Sequence, residues 1–384
     1  MACGEQSAEQ STGLQDVTVT YGGDRPALRG VTLLAGPGEV LAVIGPSGSG
    51  KTTALRAVAG LQAVRCGRVL VGGRDVTSVP TPQRNVSMVF RSTALVPFLD
   101  VAENLARSAG AFGVPEDEAA RRVASRSRLL GLARLLPRMP RTLSAGETGL
   151  TGIGRTLVRT PAAFLFDEPL AHLDPAERAR ARRTVVDAVH RAGVGALYVT
   201  HDQAEAMAVG DRLAVLCDGR VLQVDRPRQV YDRPADVFVA EFVGGPGIGL
   251  LPARLVCSPG GAGFRVSGRT LPLWGPVPAE LAGRVDAPVL LGLRAEDVGE
   301  AGSGADPGTV ALPVTVRRVE RPGSDALVAA EVALPGEADG ACLLARVPGS
   351  TRLREGQREE LVLDARRAHV FDPLTGKALR HPPR

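Results

Sequence analysis

The sequence is poor in lysine, in aromatic residues and in closely spaced cysteines. The last two scarcities each argue against a class of protein. Of 46 Lys and Arg residues, only Lys51 and Lys377 are lysines. Aromatic residues make up 3% of the chain and the net charge is only +5, which argues against a basic, aromatic-studded surface for nucleic acid. None of the five cysteines forms a Cys-x-x-Cys pair, so we expect a reducing compartment and neither a disulfide framework nor a cysteine-held metal site.

The sequence also lacks a long apolar run. Residues 1–15 are polar and do not have the basic region and apolar stretch of a signal peptide. No segment is apolar over the length that spans a bilayer. We therefore predict a disordered tail over residues 1–15, and we expect any work at a membrane to go through a partner. A length of 384 residues predicts two domains.

A glycine-rich loop is the most informative feature that the sequence does contain. An apolar run over residues 39–44 predicts a buried strand, and apolar spacing after Lys51 predicts a helix that ends at Gly60. Backbone N–H groups of such a loop bind a β-phosphate, its lysine bridges the β- and γ-phosphates, and the next hydroxyl ligates Mg²⁺. In a chain that otherwise uses arginine, the lysine indicates that a compact ammonium is required there. The sequence therefore predicts an ATP and Mg²⁺ site built from Gly45, Pro46, Ser47, Gly48, Ser49, Gly50, Lys51, Thr52 and Thr53.

Two further apolar runs, at residues 162–166 and 196–200, each stop on polar residues. The first precedes Asp167 and Glu168, and the second precedes His201. Because ligands of parallel α/β sheets bind beyond the carboxyl ends of strands, we expect these residues to converge on the loop. Asp167 is then a Mg²⁺ ligand together with Thr52, and Glu168 is a general base that polarises water.

The rest of the chain predicts a helical insertion and a second domain. Residues 92–150 are rich in Ala, Leu and Arg and predict a helical subdomain. Asp218-Gly219 between two apolar runs predicts a type I′ hairpin turn. Glycines at 244–249 mark a boundary, and the short apolar runs beyond it predict an all-β domain of barrel or OB type. The predicted architecture is an α/β P-loop NTPase core with a helical subdomain over 16–243, followed by an all-β domain of OB-fold type over 244–384.

An ordered set of motifs resembles the ATP-binding-cassette ATPases. Six elements follow one another in the same order as in that family: Tyr21, the P-loop, Leu143 to Glu147, Phe164 to Pro169, Leu173-Asp174 and Val199 to Asp202. More narrowly, Tyr231 to Ala235 and Leu291 to Asp297 look like the maltose-type importer ATPases, which power the import of sugars, glycerol phosphate or polyamines. This resemblance implies a RecA-like core with a helical subdomain, followed by an OB-like regulatory domain.

The resemblance implies roles for individual residues and for partners. Tyr21 would stack on adenine, and His201 would hold the γ-phosphate. Ser144 and Gly146 would contact the γ-phosphate of ATP on the opposite subunit of a homodimer or heterodimer, and Asp174 would link the two sites. ATP binding would close the dimer, and hydrolysis would drive an integral membrane permease that docks on residues 92–104. The protein would then be cytoplasmic and peripheral on the inner face of the membrane.

Three departures from the family pattern predict altered turnover. Arg91 stands where the family has a glutamine, and arginine has donors but no acceptor for Mg²⁺ or water; a clamp on the γ-phosphate and a surface-paired arginine both remain open. Ala145 replaces a glycine and costs about 1 kcal/mol if its backbone is left-handed. Glu147 replaces a glutamine and brings a carboxylate near phosphate, although a helix N-terminus partly offsets the repulsion. The glycines within residues 148–154 weaken the helix that they belong to, which follows the signature residues Leu143 to Glu147.

Three functions therefore stand at this point. The first is the ATP-binding subunit of an importer. The second is a regulatory subunit that binds ATP, hydrolyses it poorly and pairs with a more active copy. The third is a soluble cassette that acts on nucleic acid or ribosomes, which the importer-like tail disfavours.

Overall fold

A computed structural model describes residues 10–22, 25–92, 94–258, 261–273, 277, 279–301, 309–334 and 340–382. The chain divides into two compact units, Met1–Arg228 and Gln229–Arg384. No helix in these ranges is long and apolar enough to cross a membrane.

The first unit contains two β-sheets. Four strands form an antiparallel sheet in the order β2-β1-β4-β5, and six form a sheet in the order β10-β9-β3-β8-β7-β6 that is parallel except for β10. These strands are β1 Thr12–Thr20, β2 Pro26–Ala35, β3 Val40–Ile44, β4 Cys66–Val71, β5 Arg74–Asp75, β6 Val86–Val89, β7 Ala163–Asp167, β8 Ala196–Val199, β9 Arg212–Cys217 and β10 Arg220–Asp225.

Helices cover the parallel sheet and form a separate cluster. They are α1 Lys51–Ala59, α2 Val101–Gly110, α3 Glu116–Leu130, α4 Ala145–Leu157, α5 Pro175–Ala192 and α6 Gln203–Val209. Helix α7, Pro227–Asp232, spans the end of this unit and the start of the next. Apolar residues of β1, β2, β3 and α1 share one core. Residues of α2 and α3 build a second, smaller core with Val158, which is the helical subdomain that the sequence predicts.

Local patterns of the first unit agree with the structure. Helix α1 begins at Lys51, and Gly60 ends it in the left-handed conformation. At the β9–β10 hairpin, Asp218 and Gly219 both have positive φ, at 46° and 73°, as a type I′ turn requires. The ordered chain begins earlier than predicted, because Leu14, Val17 and Val19 of β1 are fully buried. Residues 12–15 therefore belong to a strand, while residues 1–9 lie outside the described ranges.

The second unit is mainly antiparallel β-structure. One sheet has the order β13-β12-β11-β14-β20-β21 and the other the order β15-β19-β16-β17-β18. Its elements are α8 Val237–Phe242, β11 Ile248–Ser258, β12 Gly261–Val266, β13 Arg269–Pro272, β14 Pro288–Arg294, β15 Val298–Glu300, β16 Thr309–Glu320, β17 Asp325–Val332, β18 Ala341–Pro348, β19 Arg358–Asp364, β20 His369–Phe371 and β21 Ala378–Arg380. Leu, Val, Ala and Phe side chains from both sheets share one core. This agrees with the predicted all-β domain of OB type.

The two units meet in sequence within α7, fifteen residues before the predicted boundary at 243/244. Arg294, at the end of β14, accounts for where the second unit begins. It is 2% exposed, and its guanidinium donates to the carbonyls of Ala240, Val243 and Tyr231 and lies over the Tyr231 ring. These contacts join residues 231–243 to the β-domain.

Candidate functional site

The glycine-rich loop connects the buried strand β3 to helix α1. Gly45 cannot carry a side chain, because an added Cβ would lie 2.0 Å from the Leu216 carbonyl oxygen. Gly50 has a φ of 106°, and its Cβ would lie 2.7 Å from the Ala27 oxygen. Ser47 and Gly48, at the tip, are exposed, whereas Ser49 is buried. The glycines therefore let the backbone pass close to neighbouring strands and begin α1 with free N–H groups, a geometry that binds anions.

Lys51 folds over this loop from the first turn of α1. Its Nζ donates to the carbonyl oxygens of Gly45 at 2.8 Å and Pro46 at 2.9 Å, and the side chain is mostly buried. Burial lowers the pKa of the Lys51 ammonium, and the charges of Glu168 and Asp167 oppose that shift. An anion bound at the loop would stabilise the charged form further.

Thr52 and Asp167 form a candidate Mg²⁺ site. The Thr52 hydroxyl donates to Asp167 Oδ1 at 3.3 Å, and Asp167 is 6% exposed. Burial raises the pKa of the Asp167 carboxyl, a cost that a bound cation would offset. Neighbouring ligands of octahedral Mg²⁺ are roughly 2.9 Å apart, so these oxygens fit that ion. No cluster of three or more His, Cys, Asp or Glu within the described ranges could hold a metal, and the other ligands would come from nucleotide phosphates and water.

Glu168 lies in a strained position immediately after β7. Its φ is 48°, a left-handed conformation that is unusual for a residue with a side chain. Its N–H donates to the Val199 carbonyl of β8, which holds the turn. Oε2 lies 3.1 Å from His201 Nδ1 and 3.2 Å from Arg91 Nε. Neither contact has hydrogen-bond geometry, and among the described residues this buried oxygen has no hydrogen-bond partner. A carboxylate oxygen with an unpaired acceptor position is what a general base for water requires.

Three strand ends thus meet at the loop, as the strand pattern predicts. β3 pairs with β8 and β8 pairs with β7, all parallel, so their carboxyl ends lie along one edge of the sheet. This edge presents Lys51, Asp167 with Glu168, and His201. The arrangement combines a phosphate-binding loop, a pair of oxygens for a cation and a carboxylate that can act as a base.

Tyr21 lies beside the same loop. The Tyr21 hydroxyl is 3.1 Å from the Thr53 hydroxyl of α1, and the residue is 51% exposed. An exposed aromatic face next to a phosphate site suits a flat heterocycle.

The start of α4 has a capping structure that explains Glu147. Ser144 Oγ accepts from the Glu147 N–H at 3.1 Å, and the Glu147 carboxylate accepts from the Ser144 N–H at 2.8 Å. That backbone hydrogen bond is the main reason that the pKa of Glu147 is lowered. Ala145 is the first helical residue and is not among the residues with positive φ, so the backbone cost expected from the sequence does not arise. Gly146 is buried at the same turn.

Two other predicted elements also have structural roles. Helix α4 is continuous over Ala145–Leu157 despite its glycines. An added Cβ at Gly154 would meet leucine side chains at 3.3–3.4 Å, whereas one at Gly149 would meet nothing within 4 Å. Asp174 caps α5, because its Oδ1 accepts from the Glu177 N–H at 2.8 Å. Within the described part of the chain, Ser144 and Asp174 thus form hydrogen bonds at the starts of their own helices and not with the P-loop.

A groove between α2, α4 and β6 was not predicted from the sequence. It encloses about 420 Å³ and has both apolar and cationic walls. Leu61, Phe90 and Phe112 line it while each being 42–50% exposed. Arg159 lies over the Phe112 ring at 3.3 Å, and burial lowers its pKa to about 10. One sequence signal could have indicated this surface. Arg159 is an arginine that directly follows the apolar residues Leu157 and Val158 at the end of α4.

Comparisons with known proteins place these features in a family. The ABC transporter family matches residues 28–171. The sn-glycerol-3-phosphate import ATP-binding protein UgpC of Paracoccus denitrificans is 39% identical over 95% of this chain and 98% of its own length. The trehalose/maltose import ATP-binding protein MalK of Thermococcus litoralis is 38% identical, over 95% and 98%. The diacetylchitobiose uptake system ATP-binding protein MsiK of Streptomyces coelicolor is 37% identical, over 93% and 96%.

Solved structures share the fold over more than half of the chain. An ATP-binding subunit of an ABC transporter has a TM-score of 0.53 and 27% identity, and the match covers 57% of this chain and 91% of that one. A dimeric ATP-binding cassette in a post-hydrolysis state, bound to ADP and Pi, has a TM-score of 0.51 and 27% identity. That match covers 56% of this chain and 98% of the other.

Proposed function

The chain belongs to the ATP-binding-cassette transporter ATPases, and from that premise we propose that it powers the import of a sugar, a glycerol phosphate or a related small solute. The observation that carries the proposal is the convergence of Lys51, Asp167, Glu168 and His201 on one P-loop. Relatives named for solute import match nearly the whole chain, which supports the importer class.

In this proposal the P-loop binds ATP through its backbone N–H groups and Lys51. The Lys51 ammonium leaves the carbonyls of Gly45 and Pro46 for the phosphates. Thr52 and Asp167 would hold Mg²⁺, which supplies positive charge against the phosphate oxygens when bound. Glu168 accepts a proton from the attacking water at its buried Oε2, and His201, 3.1 Å from that oxygen, would contact the γ-phosphate. Tyr21 covers the adenine ring.

A second chain would complete each site. Ser144 is exposed at the start of α4, where backbone N–H groups and the helix dipole favour a phosphate. We infer that Ser144 and Gly146 contact ATP held by the opposite subunit, and that Asp174 lies near that interface. A dimeric solved relative supports this arrangement.

The groove beside α2 would receive the membrane permease, at the inner face of the membrane. Asn104 is buried and bonds the carbonyls of Val96, Leu99 and Asp100, which fixes the loop before α2. Phe98 on that loop is 75% exposed. Exposed aromatic and aliphatic side chains of this kind mark protein contacts. The docking surface therefore extends from residues 94–104 to the groove wall at Phe112.

Nucleotide binding tests the ATP site directly. Lys51→Ala should weaken ATP affinity at least tenfold in calorimetry, because it removes the only side-chain ammonium at the loop. Glu168→Gln should keep the affinity within about twofold and lose hydrolysis. Wild-type affinity in Lys51→Ala would contradict the proposal.

Permease stimulation tests the docking surface. Phe112→Ala should bind ATP like wild type but lose most of the increase in hydrolysis that the reconstituted permease produces. Phe238→Ala, an aromatic truncation in the second unit, is the matched control. Full stimulation of Phe112→Ala would exclude this groove.

A further inference from the structure

Three arginines surround an open pocket on the first unit, away from the residues that the proposed hydrolysis uses. The pocket measures about 660 Å³ and is lined by Thr18, Arg25, Pro26, Arg29 and Arg220. These residues come from β1, from the start of β2 and from β10. None of the described residues that line it is acidic. The pocket is therefore a local concentration of positive charge.

The three guanidinium groups have no partners. Exposed arginines elsewhere pair with glutamates, as Arg121 and Arg317 do. Within the described part of the chain, the side chains of Arg25, Arg29 and Arg220 form no ion pair and no hydrogen bond. The Nε atom of Arg29 is moreover buried without an acceptor, which is costly for a donor of a charged group. An anion in the pocket would offset both this cost and the repulsion among the three charges.

We propose that this pocket binds the phosphate group of a small molecule, at a site separate from the P-loop. Guanidinium groups donate in a planar fork that matches the oxygens of phosphate, and three of them suit a dianion better than a single carboxylate. The Thr18 hydroxyl accepts from the Gly30 N–H at 3.1 Å, so its own hydrogen is left to donate. Because a water molecule takes about 30 Å³ in the liquid, the pocket has room for a phosphate group and for the molecule that carries it.

The proposed site lies close to the P-loop but shares no residue with it. The Arg29 N–H donates to the Gly219 carbonyl at 2.8 Å, and the Gly219 N–H donates to the Ser49 carbonyl at 3.1 Å. None of the described residues that line the pocket belongs to the P-loop. Because the P-loop also binds phosphate groups, an experiment has to separate the two sites, and Lys51 provides the means.

Binding of radiolabelled inorganic phosphate to the full chain tests the proposal. In equilibrium dialysis, Lys51→Ala, which lacks the P-loop ammonium, should bind one phosphate per chain in a saturable manner. Adding Arg29→Met to Lys51→Ala should weaken that binding at least tenfold, because a charge-assisted contact to phosphate is lost. Arg68→Met in the same background is the matched control, since Arg68 is exposed on β4 and does not line the pocket. It should leave the phosphate affinity unchanged.

A second variant and a lipid arm complete the test. Arg220→Met changes an exposed residue of β10 and should reproduce the loss even if Arg29→Met does not fold. Absence of saturable phosphate binding in Lys51→Ala would overturn the proposal, as would equal phosphate affinity in the Arg29→Met, Arg220→Met and Arg68→Met variants. Vesicles of phosphatidylglycerol should sediment equal amounts of wild type and Arg220→Met. Sedimentation of wild type alone, together with no binding of inorganic phosphate, would show a lipid headgroup site and overturn the assignment to a small molecule.

Discussion

Replacing Gly149, in the interior of α4, with alanine should stabilise the first unit. An added Cβ there has no atom within 4 Å, so Ala fits without displacement. Glycine in a helix interior is about 1 kcal/mol less favourable than alanine, partly because it leaves the unfolded chain more freedom. For a unit the size of Met1–Arg228, a gain of about 1 kcal/mol corresponds to roughly 2–4 °C in Tm.

Gly154→Ala is the matched control for that prediction, since it makes the same change in the same helix. Its Cβ would press on Leu132, Leu105 and Leu130 at 3.3–3.4 Å, so packing strain offsets the gain in helix propensity. Urea unfolding followed by circular dichroism, together with calorimetry, measures both variants. If Gly149→Ala is no more stable than wild type, or if Gly154→Ala gains as much, this explanation of α4 is wrong. A more stable α4 should also restrict the motion of its N-cap residue, Ser144.

Two further predictions concern the second unit. Arg294→Met should destabilise it by about 3–5 kcal/mol, since the buried carbonyls of Ala240 and Val243 and the partly buried carbonyl of Tyr231 lose their charged donor. Exposed Arg254→Met should change urea unfolding by less than about 1 kcal/mol, and similar effects for both variants would refute the buried-donor explanation. Burial, Arg294 and His381 lower the pKa of His369 to about 3, so the unfolded chain takes up a proton below about pH 6.5 that the folded chain does not. The stability is therefore fully present above pH 6.5 and falls by about 2 kcal/mol between pH 7.5 and 5.0. The pKa of His381, whose Nδ1 lies 3.1 Å from His369 Nδ1, is also lowered by burial and adds to the same loss. His369→Phe should therefore remove most of the loss in urea unfolding, and exposed His172→Gln should keep it. An unchanged pH slope in His369→Phe would contradict the assignment.

Local sequence patterns predicted the parts of the fold that local physics determines. The P-loop, the helix from Lys51 and the Asp218-Gly219 turn follow from glycine conformations and apolar spacing over fewer than ten residues. The convergence of Glu168 and His201 on Lys51 followed from one general property of parallel sheets, that their strand ends share an edge.

Other features depend on contacts between distant residues, and the sequence did not predict them. The ion pair of Arg91 with Glu168 requires the pairing register of β6 and β7. The left-handed φ of Glu168 is held by a hydrogen bond to β8. The division at Arg228 reflects Arg294, which binds carbonyls up to 63 residues before it in the chain. From the sequence Glu147 is an electrostatic defect, whereas in the fold its carboxylate has the Ser144 N–H as a partner.

Reconstitution with the cognate permease in liposomes tests the central claim most directly. ATP-driven uptake would be measured with a panel of labelled sugars and glycerol 3-phosphate, alongside phosphate release, for wild type and Glu168→Gln. We predict that wild type couples ATP hydrolysis to uptake of one solute class, and that Glu168→Gln binds ATP but supports neither reaction. Uptake by Glu168→Gln at the wild-type rate would contradict the claim that this chain powers import by hydrolysing ATP at the P-loop.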